Sequence, residues 1–235
     1  DTEVSVLARV LSGSAEGFVG AAPLHYEATV GALVRLGTGT PINPDILLDR
    51  GSGDGQTDYE GSLILRLGLG TTFRLAAGAR YGIQGSAPVV RRVAPHEQVL
   101  APLASRTTLE WKPGPYVGVD VRPSLVLGGA VELSGIYRFF HKHRDEFSLV
   151  DAASSIDPVV LAVESGVKAH QVGAGLRYDG VLPWLAGAET FPAELHLRIL
   201  RTRAGSGGQT PVATRAEAGV RLFRRLWGPT QDRKS

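Results

Sequence analysis

Over residues 59–84 the charged side chains Glu60, Arg66, Arg74 and Arg80 stand at even positions, and Leu63, Leu65, Leu67, Leu75 and Tyr81 at odd ones. The same split recurs along the chain. Glu27 and Arg35 alternate with Tyr26, Val30 and Val34, and Glu110 and Asp120 with Leu109, Val117 and Val121. Glu132 and Arg138 alternate with Leu133 and Tyr137, Arg177 and Asp179 with Leu176 and Tyr178, Glu194 and Arg198 with Leu195 and Leu197. Glu217 and Arg221 alternate with Ala218 and Val220, and Arg106, Arg122 and Arg215 share the charged parity. A guanidinium is a rigid fork of donors that fits a carboxylate through two bonds, so arginines and acids gathered on one face can satisfy one another. Such a face is either a self-neutralising polar filling or, with arginine in excess, a surface that favours anions.

Three smaller constellations have chemistry of their own. Asp49, Asp54 and Asp58 are spaced through glycines in DRGSGDGQTDYE (49–60). They offer oxygens as a calcium loop does, without the EF-hand spacing; a glycine-rich surface turn is the plainer account. His141, His143, Asp145 and Glu146 offer two imidazoles to a metal, or else form a solvated charge cluster. Ser148, close to them in sequence, and His170 have the residue types of an acyl-transfer site. No Walker A loop, dinucleotide fingerprint or HExxH pair is present, and no cofactor is expected.

Period two rather than 3.6 marks extended strands. Residues 59–69 and 73–84 read as two antiparallel strands joined by a very short turn. Each is longer than the ~5–6 residues of a common strand and matches the ~9–11 that cross a bilayer at a tilt. Strands are also expected over 2–11, 25–36, 107–121, 131–139, 170–179, 193–201 and 215–227, nine or ten in all. The 107–121 stretch reads as one long strand bent at Pro113 and Pro115, or as two short ones, because proline cannot donate to the ladder. Asp157-Pro158 ahead of VVLAVES and Gly166 predicts a short helix, capped by the aspartate with proline in its first turn. Connections near 37–58, 85–104, 141–167 and 202–213 are long; those near 70–72, 122–129 and 180–189 are short, compact turns. The two kinds alternate, as extracellular loops and periplasmic turns do in outer-membrane barrels. The expectation is an all-β chain, a single domain over 1–235, folded as a transmembrane antiparallel up-and-down β-barrel of about nine to ten strands.

Composition narrows the classes. Thirty glycines and fourteen prolines, with 20% charged residues, speak against a helical chain. A net charge of +2, with arginines spread along strands, leaves no footprint for nucleic acid. The absence of cysteine excludes disulfides and thiolate metal sites. No apolar run is long enough for a transmembrane helix. Methionine is absent even at position 1, so the chain reads as a processed product or a fragment, with a removed export signal the expectation.

An arginine at the bilayer midplane costs ~2–4 kcal/mol in such barrels. The leucine face is therefore expected to meet lipid, and Glu27, Arg35, Glu60, Arg66, Arg74, Arg80, Glu110, Asp120, Glu132, Arg138, Arg177, Glu194, Arg198, Glu217 and Arg221 to line the lumen. Tyr26, Tyr59, Tyr81, Trp111, Tyr137, Phe139, Tyr178, Phe223 and Trp227 lie mostly near strand ends, where aromatic girdles sit at the two interfaces.

The 49–60 loop followed by the Leu/Arg hairpin resembles outer-membrane channel proteins of Gram-negative bacteria. It is loosely similar to transporter barrels for hydrocarbon or phenol uptake and to the long-chain fatty-acid transporter group. The resemblance implies a bacterial outer-membrane location, lipid as the principal partner and passage of a small solute. The expected function is thus a channel or transporter-like barrel. A closed structural or partner-binding barrel filled by arginine–carboxylate pairs comes second, and an outer-membrane lipid hydrolase third.

Overall fold

A two-residue side-chain repeat held over a dozen positions excludes a helix, and strands make up most of the regular structure among the described residues. The computed structural model describes residues 1–19, 22–46, 49, 51–94, 98, 101–150, 157–188, 190–208 and 212–224. In chain order it contains β1 (Thr2–Val19), β2 (Ala22–Leu36), β3 (Asp58–Leu69), β4 (Phe73–Gln84), β5 (Ala87–Arg92), β6 (Arg106–Lys112) and β7 (Tyr116–Leu127). There follow β8 (Val131–Lys142), β9 (Glu146–Leu149), β10 (Val167–Asp179), α1 (Val181–Leu185), β11 (Ala193–Ser206) and β12 (Thr214–Leu222). Nine strands form one antiparallel meander, β1-β2-β3-β4-β7-β8-β10-β11-β12, and β5, β6 and β9 form a separate small sheet. Among the described residues no pairing joins β1 to β12, so the large sheet keeps two edges.

Register keeps the two parities apart across the whole sheet. Glu27 faces Arg66, Arg66 faces Ala76, and Ala76 faces Arg122. On the opposite face Ala28, Leu65, Ala77, Val121, Tyr137 and Val172 form one row. A slip of one residue would exchange the faces of every side chain in a strand. β1 stays in step through a bulge between Arg9 and Leu11, with Val10 as the extra residue.

The leucine face is open along the sheet: Val6 is 65% exposed, Leu65 42% and Leu197 47%. The buried apolar cluster lies elsewhere. Val89, Val93 and Leu109 pack with Trp111, Phe147, Leu149, Val160 and Leu161, within the small sheet and the 3-10 turn Pro158–Ala162. The nine long strands therefore rely on ladder hydrogen bonds and cross-strand pairs rather than on a core shared with a second layer.

The connections 37–57, 85–115, 143–166 and 207–213 leave one end of the large sheet, and 70–72, 128–130 and 180–192 the other. At 128–130 the tight turn needs Gly128 (φ 58°) and Gly129 (φ 78°), a left-handed backbone that side chains rarely tolerate.

Several expected boundaries move. Residues 107–121 are two strands: the chain leaves the small sheet at Lys112 and enters the large one at Tyr116. Pro113 and Pro115 between them have no N–H to carry a ladder across. The turn expected over 122–129 is strand as far as Leu127. Pro123 fits because the β7–β8 pairing lapses at Arg122 and Pro123 and resumes in unchanged register at Ser124. The long connections 85–104 and 141–167 contribute β5 and β9, and 180–189 contains α1. The short helix after Asp157 forms as a 3-10 turn, with Asp157 Oδ1 accepting from the Val159 N–H at 3.0 Å. β1 and β11 run on past 11 and 201, to Val19 and Ser206.

Candidate functional site: a polar face of cross-strand ion pairs

Directly opposed residues in an antiparallel pair have Cβ atoms about 4.5–5.5 Å apart, close enough for an arginine to reach a carboxylate. Register thereby turns alternation into ion pairs. Arg66 meets Glu27 directly opposite it. Arg138 Nε lies 2.7 Å from Asp120 Oδ1, Arg221 Nη1 3.4 Å from Glu194 Oε2, and Arg198 Nη1 3.6 Å from Glu217 Oε2, each again directly opposite. Arg35 bridges Glu3 and Asp58 at 3.2 Å to each. Other pairs are diagonal or two residues apart on one strand: Arg80 to Glu60 at 3.9 Å, Arg177 to Asp179 at 2.7 Å, Arg215 to Glu217 at 2.6 Å. Most of these guanidiniums remain substantially exposed, so each pair contributes at most ~1 kcal/mol. Their effect is on charge and shape more than on stability.

Glu3 and Arg9 belong to this face although the sequence reading passed over them. Arg9 Nε reaches Glu27 Oε2 at 3.4 Å, so Glu27 serves two arginines. Their signal was alternation with Val4, Val6 and Ala8. Tyr116 is a further member: its O–H donates to Glu60 Oε2 at 2.6 Å, and the Arg80 guanidinium lies 6.0 Å from its ring centre. The ring lies over Gly82, its cross-strand partner, where a Cβ would come within 2.2 Å of it.

Two expected members are elsewhere. Glu110 is on β6, opposite Pro88 and Ser148 in the small sheet, so it does not line the polar face. Arg106 is also on β6 and pairs with Asp45 at 3.4 Å. Both misplacements follow from the break at Pro113–Pro115. The other expected lining residues share the polar rows of the large sheet.

Two depressions lie on that face, the first at mid-strand and the second toward the turn end. One, about 470 Å³, is bordered by Glu60, Arg66, Arg80, Asp120 and Arg122; the other, about 450 Å³, by Glu27, Arg66, Arg74, Arg122, Ser124 and Glu132. Among the described residues Arg74 and Arg122 have no carboxylate within 4.0 Å.

Sequence comparison adds no relative. No protein-family model matches the chain, and no curated protein matches it either.

The smaller constellations have separate uses. Asp49 accepts from the Asn43 N–H at 2.7 Å and the Gly51 N–H at 3.0 Å, Asp54 from the Gln56 N–H at 3.0 Å, and Asp58 from Arg35. Asp49 and Asp54 bond within the 37–57 connection while Asp58 pairs inside the sheet, and among the described residues no group of three His, Asp or Glu side chains is arranged to hold a metal. Asp145 is a structural hub, only 7% exposed. It accepts from Trp111 Nε1 at 3.1 Å and the Gly114 N–H at 2.9 Å, and Lys142 Nζ lies 2.7 Å away. Ser148 faces Glu110 on β9, while His170 Nδ1 is engaged by the Tyr137 hydroxyl at 2.9 Å. Among the described residues no hydrogen bond joins Ser148 to His141, His143 or His170.

Of the aromatics, Tyr59 and Tyr81 are exposed on the leucine face near the long-connection end. Phe139 stands over His170 on the same face at 4.9 Å between ring centres. Tyr26 faces Gly13 there, and Tyr178 donates its O–H to Phe191 O at 3.1 Å near the turn end. Trp111 belongs instead to the small sheet, stacked on Phe147 with centroids 6.1 Å apart. Phe223 follows β12, and Trp227 lies outside the described residues.

Proposed function

We propose that this chain forms the wall of a bacterial outer-membrane β-barrel, with its leucine face on lipid and its polar face enclosing a passage for a small solute. The observation that carries the reading is the contrast between the faces. A soluble monomer exposes at most ~300–600 Å² of contiguous apolar surface, whereas here one face of nine strands is apolar and open while the only hydrophobic core cluster among the described residues sits in the small sheet. Dimensions agree. From Tyr59 to Leu69 β3 advances ten residues, about 34 Å at ~3.4 Å each. Tilted by ~35–45°, that spans about 24–28 Å, against an apolar band of ~25 Å in barrels of this kind. Among the described residues no helix is long and apolar enough to cross a membrane, which bears only on helices.

The ion pairs favour a second reading. Arg138–Asp120, Arg198–Glu217 and Arg221–Glu194 tie neighbouring strands across the polar face, as they would in a closed scaffold whose long connections bind a partner. Planar-bilayer recording discriminates the two. Discrete current steps are the expected result, and silence at every voltage would favour the closed scaffold. Detergent partitioning tests the membrane assignment itself: a chain that is monomeric and freely soluble without detergent would overturn both.

A further inference from the structure

Arg74 and Arg122 differ from the other arginines of the polar face, each of which lies within 4.0 Å of a carboxylate. Both border the 450 Å³ depression, and so does Arg66, whose partner Glu27 is shared with Arg9. Register accounts for the space between them. Arg66 and Arg122 flank Ala76 in one row, and Arg74 is flanked by Gly68 and Ser124 in the next. With strands ~4.8 Å apart, the Cα atoms of Arg66 and Arg122 are separated by about 10 Å, and Arg74 stands on the intervening strand about 7 Å along it. The floor is thus made of small residues and the rim of guanidiniums. Glu132 also borders the depression and has no cation within 4.0 Å among the described residues. On its lining Arg66, Arg74 and Arg122 stand against Glu27 and Glu132, which leaves positive charge in excess.

We infer that this depression is a binding site for a small oxyanion, a phosphate or carboxylate group held by the forks of Arg74 and Arg122, with Arg66 and the Ser124 hydroxyl beside them. An arginine fork gives such a group two parallel charge-assisted bonds. Low-dielectric walls around a cleft of one sign strengthen the attraction. The inference rests on the barrel reading above and names the solute class that reading leaves open: anions.

The test uses the folded chain in detergent micelles, titrated with inorganic phosphate by calorimetry. Saturable binding is expected, weakened by about tenfold or more in R74A/R122A, because the bonds lost are charge-assisted. R74K/R122K keeps the charges without the forks and serves as the check on folding, with intermediate affinity expected. R138A removes an equal kind of charge from a paired position outside the depression and should leave affinity within about twofold. Absence of saturable binding by the folded wild type would overturn the site. So would an R138A loss as large as that of R74A/R122A, since the attraction would then be diffuse. Reversal potentials in a salt gradient separate this from the parent reading. Anion-selective current that fades in R74A/R122A supports both, cation-selective current overturns the anion site alone, and phosphate binding without any current overturns the passage alone.

Discussion

Leu65→Arg puts the assignment of the leucine face to a quantitative test. Leu65 lies near the middle of β3, in the row of Ala28, Ala77, Val121 and Tyr137, and is 42% exposed. On a face bathed in water such a substitution changes stability by about 0.5 kcal/mol either way. At a bilayer midplane an arginine costs ~2–4 kcal/mol, falling to ~0–1 kcal/mol near the interfaces. The folding equilibrium in lipid should therefore drop by about 30- to 1000-fold, since ~1.4 kcal/mol is a factor of ten. Ile83→Arg provides the depth control. Ile83 faces Tyr59 at the long-connection end, and its replacement should cost no more than ~1 kcal/mol. Leu65→Ala corrects for the lost side chain. The assay is reversible guanidinium unfolding in phosphatidylcholine vesicles, followed by tryptophan fluorescence and by the gel shift between folded and unfolded forms. Equal effects at 65 and 83, or a Leu65→Arg chain as stable in vesicles as wild type, would refute the reasoning, because the face would then be covered by protein or water.

Asp145→Ala should leave the Trp111 indole, the Gly114 N–H and the Lys142 ammonium without their common acceptor; the small sheet is expected to loosen by about 3 kcal/mol, seen as faster protease cutting in 143–166 with the nine-stranded sheet intact. Gly82→Ala and Gly61→Ala form a pair of opposite sign. A methyl at 82 collides with the Tyr116 ring at 2.2 Å and should cost about 1–3 kcal/mol, whereas at 61 nothing lies within 4 Å and stability should rise by about 0.4–1 kcal/mol. Denaturant midpoints of the two variants measure both, and equal shifts would contradict the packing described.

The β3–β4 hairpin was legible because each of its side chains meets one of two contrasting environments, which leaves a clean alternation in the sequence. The same signal misled at 107–121. Leu109, Trp111, Pro113, Pro115 and Val117 hold one parity straight through the break, and parity does not register a change of sheet. The 122–129 stretch read as a turn, yet its Pro123 sits where one ladder lapses for two residues, a property of the partner strand rather than of the local sequence. β5 and β9 are too short to establish a rhythm. Parity placed most of the charged face, but it put Glu110 and Arg106 there in error and passed over Glu3 and Arg9. Which arginines go unpaired could not be read this way, because that depends on whether register sets a carboxylate or an alanine opposite. Arg66 and Arg122 look alike in sequence, and Glu27 opposite Arg66 is what separates them.

Nine strands in a meander have a consequence for closure. Successive strands reverse direction, so β1 and β12, first and ninth in the order, run the same way. A seam between these two is necessarily parallel, with slanted bonds slightly weaker per residue than those of the antiparallel ladders beside it. Two copies related by an axis along the barrel would bring β1 of one against β12 of the other in that same sense. Only an odd number of inserted strands restores antiparallel pairing all the way round. In the proposed barrel a direct β1–β12 seam would be the one parallel ladder in the wall, and it is the line expected to part first under load.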